Sequence, residues 1–151
     1  MRFTILLLAI YVVAGSAAVQ AEVHPLDCAK KSLGNAISRV KFANQSIVFT
    51  GVCHGPIAIG VDGLTLIGVN TAVIDGGGVG DAVTIDGASR VSLTGVEVRN
   101  GLNGIVVTRG AHVTMSGVNS HGNAMDGIVV QSSWTHLATA WHGMAWLART
   151  V

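Results

Sequence analysis

The chain has 151 residues, of which 11% are charged and 50% apolar. That share can bury a core, which excludes a disordered chain, and the length allows one domain. Nine Lys and Arg stand against eight Asp and Glu, with no basic run. This excludes a nucleic-acid groove held by phosphate contacts.

Residues 1–21 read as a secretory signal peptide. Arg2 supplies a minimal positive start, and Ile5 to Gly15 forms a short apolar run. Val19-Gln20-Ala21 offers small residues at the two cleavage-specifying positions, so the mature chain is predicted to begin at Glu22. The apolar run is shorter than the roughly 20 residues that span a bilayer. A secreted or periplasmic protein with no membrane span after cleavage is expected. Without Arg2 the mature chain is nearly neutral.

Residues 22–45 form a separate N-terminal segment. Asp27 is placed to cap a helix over residues 28–41, with Leu33, Ala36, Ile37 and Val40 as one apolar stripe. Cys28 and Cys53 are the only cysteines. In an oxidising compartment they are expected to pair, although two buried thiols also fit the sequence. A bridge would add about 3 kcal/mol in the chain-entropy model. Two cysteines without clustered histidines make no zinc site. No metal or cofactor is expected.

Glycine dominates the region that follows. There are 20 glycines, and 17 of them lie between Gly51 and Gly127 without a G-X-Y triplet. They mark a repeat. Val91-Ser92-Leu93-Thr94-Gly95-Val96 recurs as Val113-Thr114-Met115-Ser116-Gly117-Val118, 22 residues on. Asn103-Gly104-Ile105-Val106-Val107 recurs as Asp126-Gly127-Ile128-Val129-Val130, 23 residues on, and Asn100 recurs at Asn123. Leu64-Thr65-Leu66-Ile67-Gly68-Val69 is an earlier copy. Apolar residues alternate within each copy, as in Val91/Leu93, Val96/Val98, Val83/Ile85 and Ile105/Val107. Period 2 over four or five residues means short strands with one buried face. Gly, Asn and Asp between them supply the turns. With no helix-length segment between strands, the solution is an all-β parallel β-helix of about 3–4 rungs, 22–27 residues each, over residues 46–133.

Gly51-Val52-Cys53-His54-Gly55-Pro56-Ile57, Val73-Ile74-Asp75-Gly76-Gly77-Gly78 and Asp126-Gly127-Ile128-Val129-Val130 carry a more specific likeness. Over about residues 28–133 the chain resembles secreted bacterial right-handed parallel β-helix repeat proteins of the pectin-lyase-like superfamily. The resemblance implies that the N-terminal helix covers the open end of the coil, where a first rung would expose unpaired backbone. It would make Cys28–Cys53 a tie between that helix and the first rung. It implies little about activity, because the superfamily holds lyases, hydrolases, tailspikes, adhesins and accessory proteins.

Candidate chemistry is sparse. Asn100 and Asn123 are read as a structural asparagine ladder at one corner. Asp75-Gly76-Gly77-Gly78-Val79-Gly80-Asp81 is read as a wide turn between rungs. Polygalacturonase-like members carry a close Asp pair, Gly-His-Gly and Arg-x-Lys. This chain has only Ser120-His121-Gly122. Glu97 and Arg99 face outward because Val96 and Val98 point in, and Arg109 follows by half a rung. Glu97, Arg99, Arg109 and His121 are therefore the candidate carbohydrate-binding flank, with no catalytic residue assigned. His54, His112 and His121 lack metal-ligand spacing and are read as surface or turn histidines. An extended polysaccharide is the expected partner.

The repeat stops after Ser133. Trp134, Trp141 and Trp146 fall in the last stretch, where Gly and Asn almost vanish. Leu137 to Leu147 fits a capping helix. The genetic code offers another reading. Gly143-Met144-Ala145-Trp146, shifted by one base, encodes Asp/Asn/His/Tyr-Gly-Val/Leu/Met followed by Val or Ala, the repeat's own turn and strand. A frameshift near Ser133 would make residues 134–151 an atypical tail on a truncated β-helix. The chain is read as a non-catalytic carbohydrate-binding or structural surface module. The alternative is a fragment of a polysaccharide lyase or glycoside hydrolase.

Overall fold

The structure is a computed structural model that describes residues 24–109, 111–131, 134–138 and 149–150. It is a parallel β-solenoid of about five turns, with very little helix. Residues 46–131 make four of those turns, within the 3–4 rungs expected there, and the strands after Ser133 add to the stack. The first turn is already in register with the second, Ser46 pairing with Thr65.

The chain enters through a short strand, β1 (Leu26–Asp27), and one helix, α1 (Leu33–Ser38). The helix is shorter than the expected 28–41. Asp27 does not cap it: its Oδ1 accepts from Ala29 N at 3.0 Å, and its carbonyl accepts from Lys30 and Lys31. That closes a turn, and the chain enters the helix five residues later, at Ser32. The Ser32 hydroxyl accepts from Asn35 N at 3.2 Å. Leu33 and Ile37 are buried, and Val40 packs partly against the same cluster. The stripe therefore does its work although the bounds differ.

The first turn follows as β2 (Ser46–Thr50), β3 (Val52–His54) and β4 (Ile57–Ile59), and the second as β5 (Thr65–Gly68), β6 (Val73–Asp75) and β7 (Val83–Asp86). The third is β8 (Val91–Thr94), β9 (Glu97–Arg99) and β10 (Ile105–Thr108), and the fourth β11 (Ala111–Ser116), β12 (Asn119–His121) and β13 (Ile128–Gln131). Beyond Ser133, β14 (Trp134–Ala138) pairs with β11, and β15 (Arg149–Thr150) pairs with β13. Leu137 thus lies in a strand. The rest of the expected tail helix, like the signal peptide, lies outside the described residues.

Three parallel sheets result, ordered β1-β2-β5-β8-β11-β14, β4-β7-β10-β13-β15 and β3-β6-β9-β12. Each rung stacks like on like. Ile57, Val83, Ile105 and Ile128 form one inward column, and Ile59, Ile85, Val107 and Val130 the next. Cys53, Ile74, Val98 and Ser120 form a third. All twelve are buried. The period-2 pattern places these residues inside because a strand sends alternate side chains to opposite faces. Ser120 is the one polar member. Its hydroxyl donates to Gly127 O at 2.7 Å and accepts from Asn123 Nδ2 at 3.1 Å, which satisfies it.

Cys28 and Cys53 are joined by a disulfide across a sequence separation of 25. The bond ties the segment before α1 to β3 of the first turn. Among the described residues no helix is long and apolar enough to cross a membrane.

Candidate functional site

The β3-β6-β9-β12 sheet carries the chemistry. Its outward column reads His54, Asp75, Arg99 and His121 by register, and Glu97 stands beside it opposite Asn119. The burial of Ile74, Val98 and Ser120 forces their neighbours outward. Stacking at about 4.8 Å then brings charges from successive rungs within reach.

Arg99 is the hub. Its Nε lies 3.3 Å from Asp75 Oδ2 on the rung before, and its Nη1 lies 3.2 Å from Glu97 Oε1 on its own strand. Glu97 Oε1 also lies 3.2 Å from His121 Nε2 on the rung after. Asp75 is held further. Its Oδ1 accepts from Gly77 N at 3.0 Å and its Oδ2 from Asn100 Nδ2 at 2.9 Å. The Gly77 amide first, then Asn100 and Arg99, hold its carboxyl below the usual carboxylate value.

Three of the four flank candidates are therefore brought together: Glu97, Arg99 and His121. The structure places Arg109 elsewhere. It sits just past β10, in the left-handed backbone region at φ 49°. There it faces Asp86, with Nη2 2.5 Å from Oδ2 and Nε 2.9 Å from Oδ1. That pairing lowers the Asp86 pKa, with Thr108 as a second donor, and raises that of Arg109. Half a rung of chain carries Arg109 onto a different sheet, which spacing along the sequence does not reveal.

The asparagine corner also differs in detail from a simple ladder. Asn100 and Asn123 occupy equivalent corners, yet Asn100 donates to Asp75, while Asn123 Oδ1 accepts from Gly101 N at 2.9 Å. A second corner runs beside it. Asp81 Oδ1 accepts from Asn103 N at 3.2 Å and from Asn103 Nδ2 at 2.8 Å. Asn103 Oδ1 accepts in turn from Asp126 N at 3.2 Å. Asp81, Asn103 and Asp126 were missed as a ladder, although their 22- and 23-residue offsets match the repeat. Asp75 was missed as part of the row. Its signal was the 24 residues to Arg99, close to one repeat.

A recess of about 510 Å³ continues from the charged row. Gly77, Gly78, Asn100, Gly101, Gly122 and Asn123 line it. Gly77 and Gly78 have positive φ, and a Cβ on Gly77, Gly78 or Gly122 would meet nothing within 4 Å. The recess is open space bounded by backbone. Row and recess together offer carboxylates, a guanidinium, an imidazole, an amide and bare peptide groups along the solenoid axis. Among the described residues no group of three His, Cys, Asp or Glu is placed to hold a metal ion.

No protein-family pattern matches the chain, and no curated protein matches it. One solved structure, the crystal structure of alginate lyase from Paenibacillus sp. str. FPU-7, is similar with a TM-score of 0.62. The likeness is one of fold. Identity is 19%, and the match covers 73% of this chain and 41% of that chain. This chain thus spans about two-fifths of that enzyme's length.

Proposed function

We propose that this protein is an exported β-helix that binds an extended polysaccharide along the outer face of the β3-β6-β9-β12 sheet. The observation that carries the reading is the Asp75–Arg99–Glu97–His121 network. It joins half-buried side chains from three successive rungs beside an open recess. A row that sets polar side chains at successive rungs along the axis suits a polymer better than a compact ligand. The Cys28–Cys53 disulfide supports an oxidising compartment. The fold shared with an alginate lyase supports a sugar polymer as ligand.

The fixed charges of the row are Asp75 and Glu97 against Arg99. Such a row accepts hydrogen bonds from sugar hydroxyls more readily than it attracts carboxylates. Electrophoretic retention in gels containing neutral glucan, xylan, polygalacturonate or alginate tests the reading. Retardation by a hydroxyl-rich polymer, reduced in Arg99→Ala, supports it. Unaltered migration in every gel contradicts it.

The second reading, a polysaccharide lyase fragment, is favoured by the alginate lyase likeness and the His121–Glu97 pair. Elimination from a uronate needs a cation free to neutralise the sugar carboxylate and a base for the ring proton. Arg99 already faces two carboxylates, so binding is the reading adopted. Growth of ultraviolet absorbance from an unsaturated product on alginate would favour the lyase. We propose further that the residues after Ser133 are read in a shifted frame, so that β14 and β15 stand where a Gly/Asn-turn rung would. Genomic DNA decides that point: a shifted frame that continues the Gly/Asn-turn rungs supports it, and an early stop refutes it.

A further inference from the structure

Three successive rungs share one order of residues where the β3-β6-β9-β12 sheet turns toward the next. Asp75, Arg99 and His121 begin it, the residues of the recess follow, and Val79, Leu102 and Met125 end it. The backbone stacks these corners on one another. Gly78 N donates to Asn100 O, Leu102 N to Gly80 O at 2.6 Å, and Met125 N to Leu102 O at 2.7 Å. Val79, Leu102 and Met125 therefore form a column along the solenoid axis, with the recess between it and the charged row.

Among the described residues, the large apolar side chains left exposed are Phe42, Val52, Val79, Leu102 and Met125. Three of these five belong to the column, at 77%, 44% and 58% exposure. Single exposed apolar residues are ordinary, whereas a contiguous run marks a binding surface. Turn chemistry does not call for them, because turns favour Gly, Asn, Asp and Ser. The floor beside the column has its donors engaged. Gly77 N donates to Asp75 Oδ1, Gly101 N to Asn123 Oδ1, and Ala124 N to Gly101 O. A glycine-rich turn holds an anion through free N–H groups. With these engaged, the floor suits C–H surface instead.

We propose that row, recess and column form one site for a neutral β-1,4-linked glycan with equatorial hydroxyls, a glucan or xylan. The inference rests on the polysaccharide reading and names its ligand class. In such a polymer each sugar ring carries C–H bonds on both faces and hydroxyls at its edge. A ring seated in the recess sets one face on Leu102 and Met125 and turns edge hydroxyls to the carboxylates of Asp75 and Glu97. The extended β-1,4 chain advances per sugar by nearly the strand spacing of about 4.8 Å, so successive sugars meet successive rungs. An α-1,4-glucan coils and loses this match. A polyuronate brings carboxylates to a row where Asp75 and Glu97 outnumber Arg99.

The test uses the exported protein and fluorescein-labelled cellopentaose, xylopentaose, maltopentaose and alginate oligosaccharide, followed by anisotropy. Cellopentaose or xylopentaose should bind saturably and at least about ten-fold more tightly than maltopentaose or alginate. Leu102→Ser/Met125→Ser should weaken that binding by at least about ten-fold. Phe42→Ser, which removes an equally exposed apolar side chain ahead of the first turn, should leave it unchanged. Circular dichroism checks that both variants keep the fold. Equal binding of cellopentaose and maltopentaose, or tighter binding of alginate, overturns the inference and leaves the polysaccharide reading standing. So does a Leu102→Ser/Met125→Ser protein that binds like the parent while Arg99→Ala binds weakly. A parent dimer that this double variant dissociates, with sugar binding unchanged, would reassign the column to self-association. No binding of any sugar by the parent overturns both.

Discussion

His121 Nε2 lies 3.2 Å from Glu97 Oε1, one rung apart and on neighbouring outward columns. Neither residue meets the other along the sequence. The parallel stack makes them diagonal neighbours, the sheet counterpart of a helix pair. Through Glu97 the imidazole is linked to Arg99, and through Arg99 to Asp75. The row is thus a joint product of rung length and strand register.

Asp75 should make stability fall on the acid side. Its native pKa is lowered by the Gly77 amide, Asn100 and Arg99. A lowered native value contributes stability that is complete above the ordinary carboxylate value of 3.8 and lost as pH falls through the native one. Asp75→Asn should therefore be less stable than the parent at neutral pH, with the gap closing below about pH 4. Denaturant midpoints across that range measure it. A gap that stays constant would contradict the assignment.

Truncation of the core columns should be costly. Ile105 is fully buried between Val83 and Ile128. Ile105→Ala should cost about 3–4 kcal/mol in urea unfolding, the sum of lost burial and a cavity in a stack that cannot collapse. A loss under about 1 kcal/mol would mean that the rungs close over the gap.

Loss of the disulfide should loosen the cap. Replacing Cys28 and Cys53 together by Ala should lower stability by about 3 kcal/mol. Hydrogen exchange should quicken first in α1, whose Leu33 and Ile37 pack on the first turn. Uniformly quickened exchange would contradict a role local to the cap.

Two glycines separate steric from conformational demand. A Cβ on Gly104 would run into Ser120 Oγ and Gly127 O, and would stand 2.7 Å from Asn123 Nδ2. Gly60 has an ordinary φ and nothing within 4 Å. Gly104→Ala should cost about 1–3 kcal/mol, while Gly60→Ala should be near neutral. Equal effects in thermal melts would contradict the rung packing at Gly104.

Much of this fold is legible in the sequence because the solenoid is quasi-one-dimensional. The offsets from Val91 to Val113 and from Ile105 to Ile128 are register pairs written directly into the chain. Glu97, Arg99 and His121 could be gathered by the same arithmetic. Arg109 could not, because a corner turn in the left-handed region redirects it toward Asp86. The helix start was misplaced because Asp27 and Ser32 are both good caps, and packing of Leu33 and Ile37 decides between them. Asp75 belongs to the site for a reason no local pattern holds: Arg99 reaches back one rung.

Isothermal titration of the exported protein with hydroxyl-rich oligosaccharides tests the central claim most directly, using Arg99→Ala and Arg109→Ala side by side. The account expects saturable binding that Arg99→Ala weakens by at least about ten-fold and Arg109→Ala leaves unchanged. Equal weakening by both variants, or no binding by the parent, would contradict a polysaccharide site on the β3-β6-β9-β12 face.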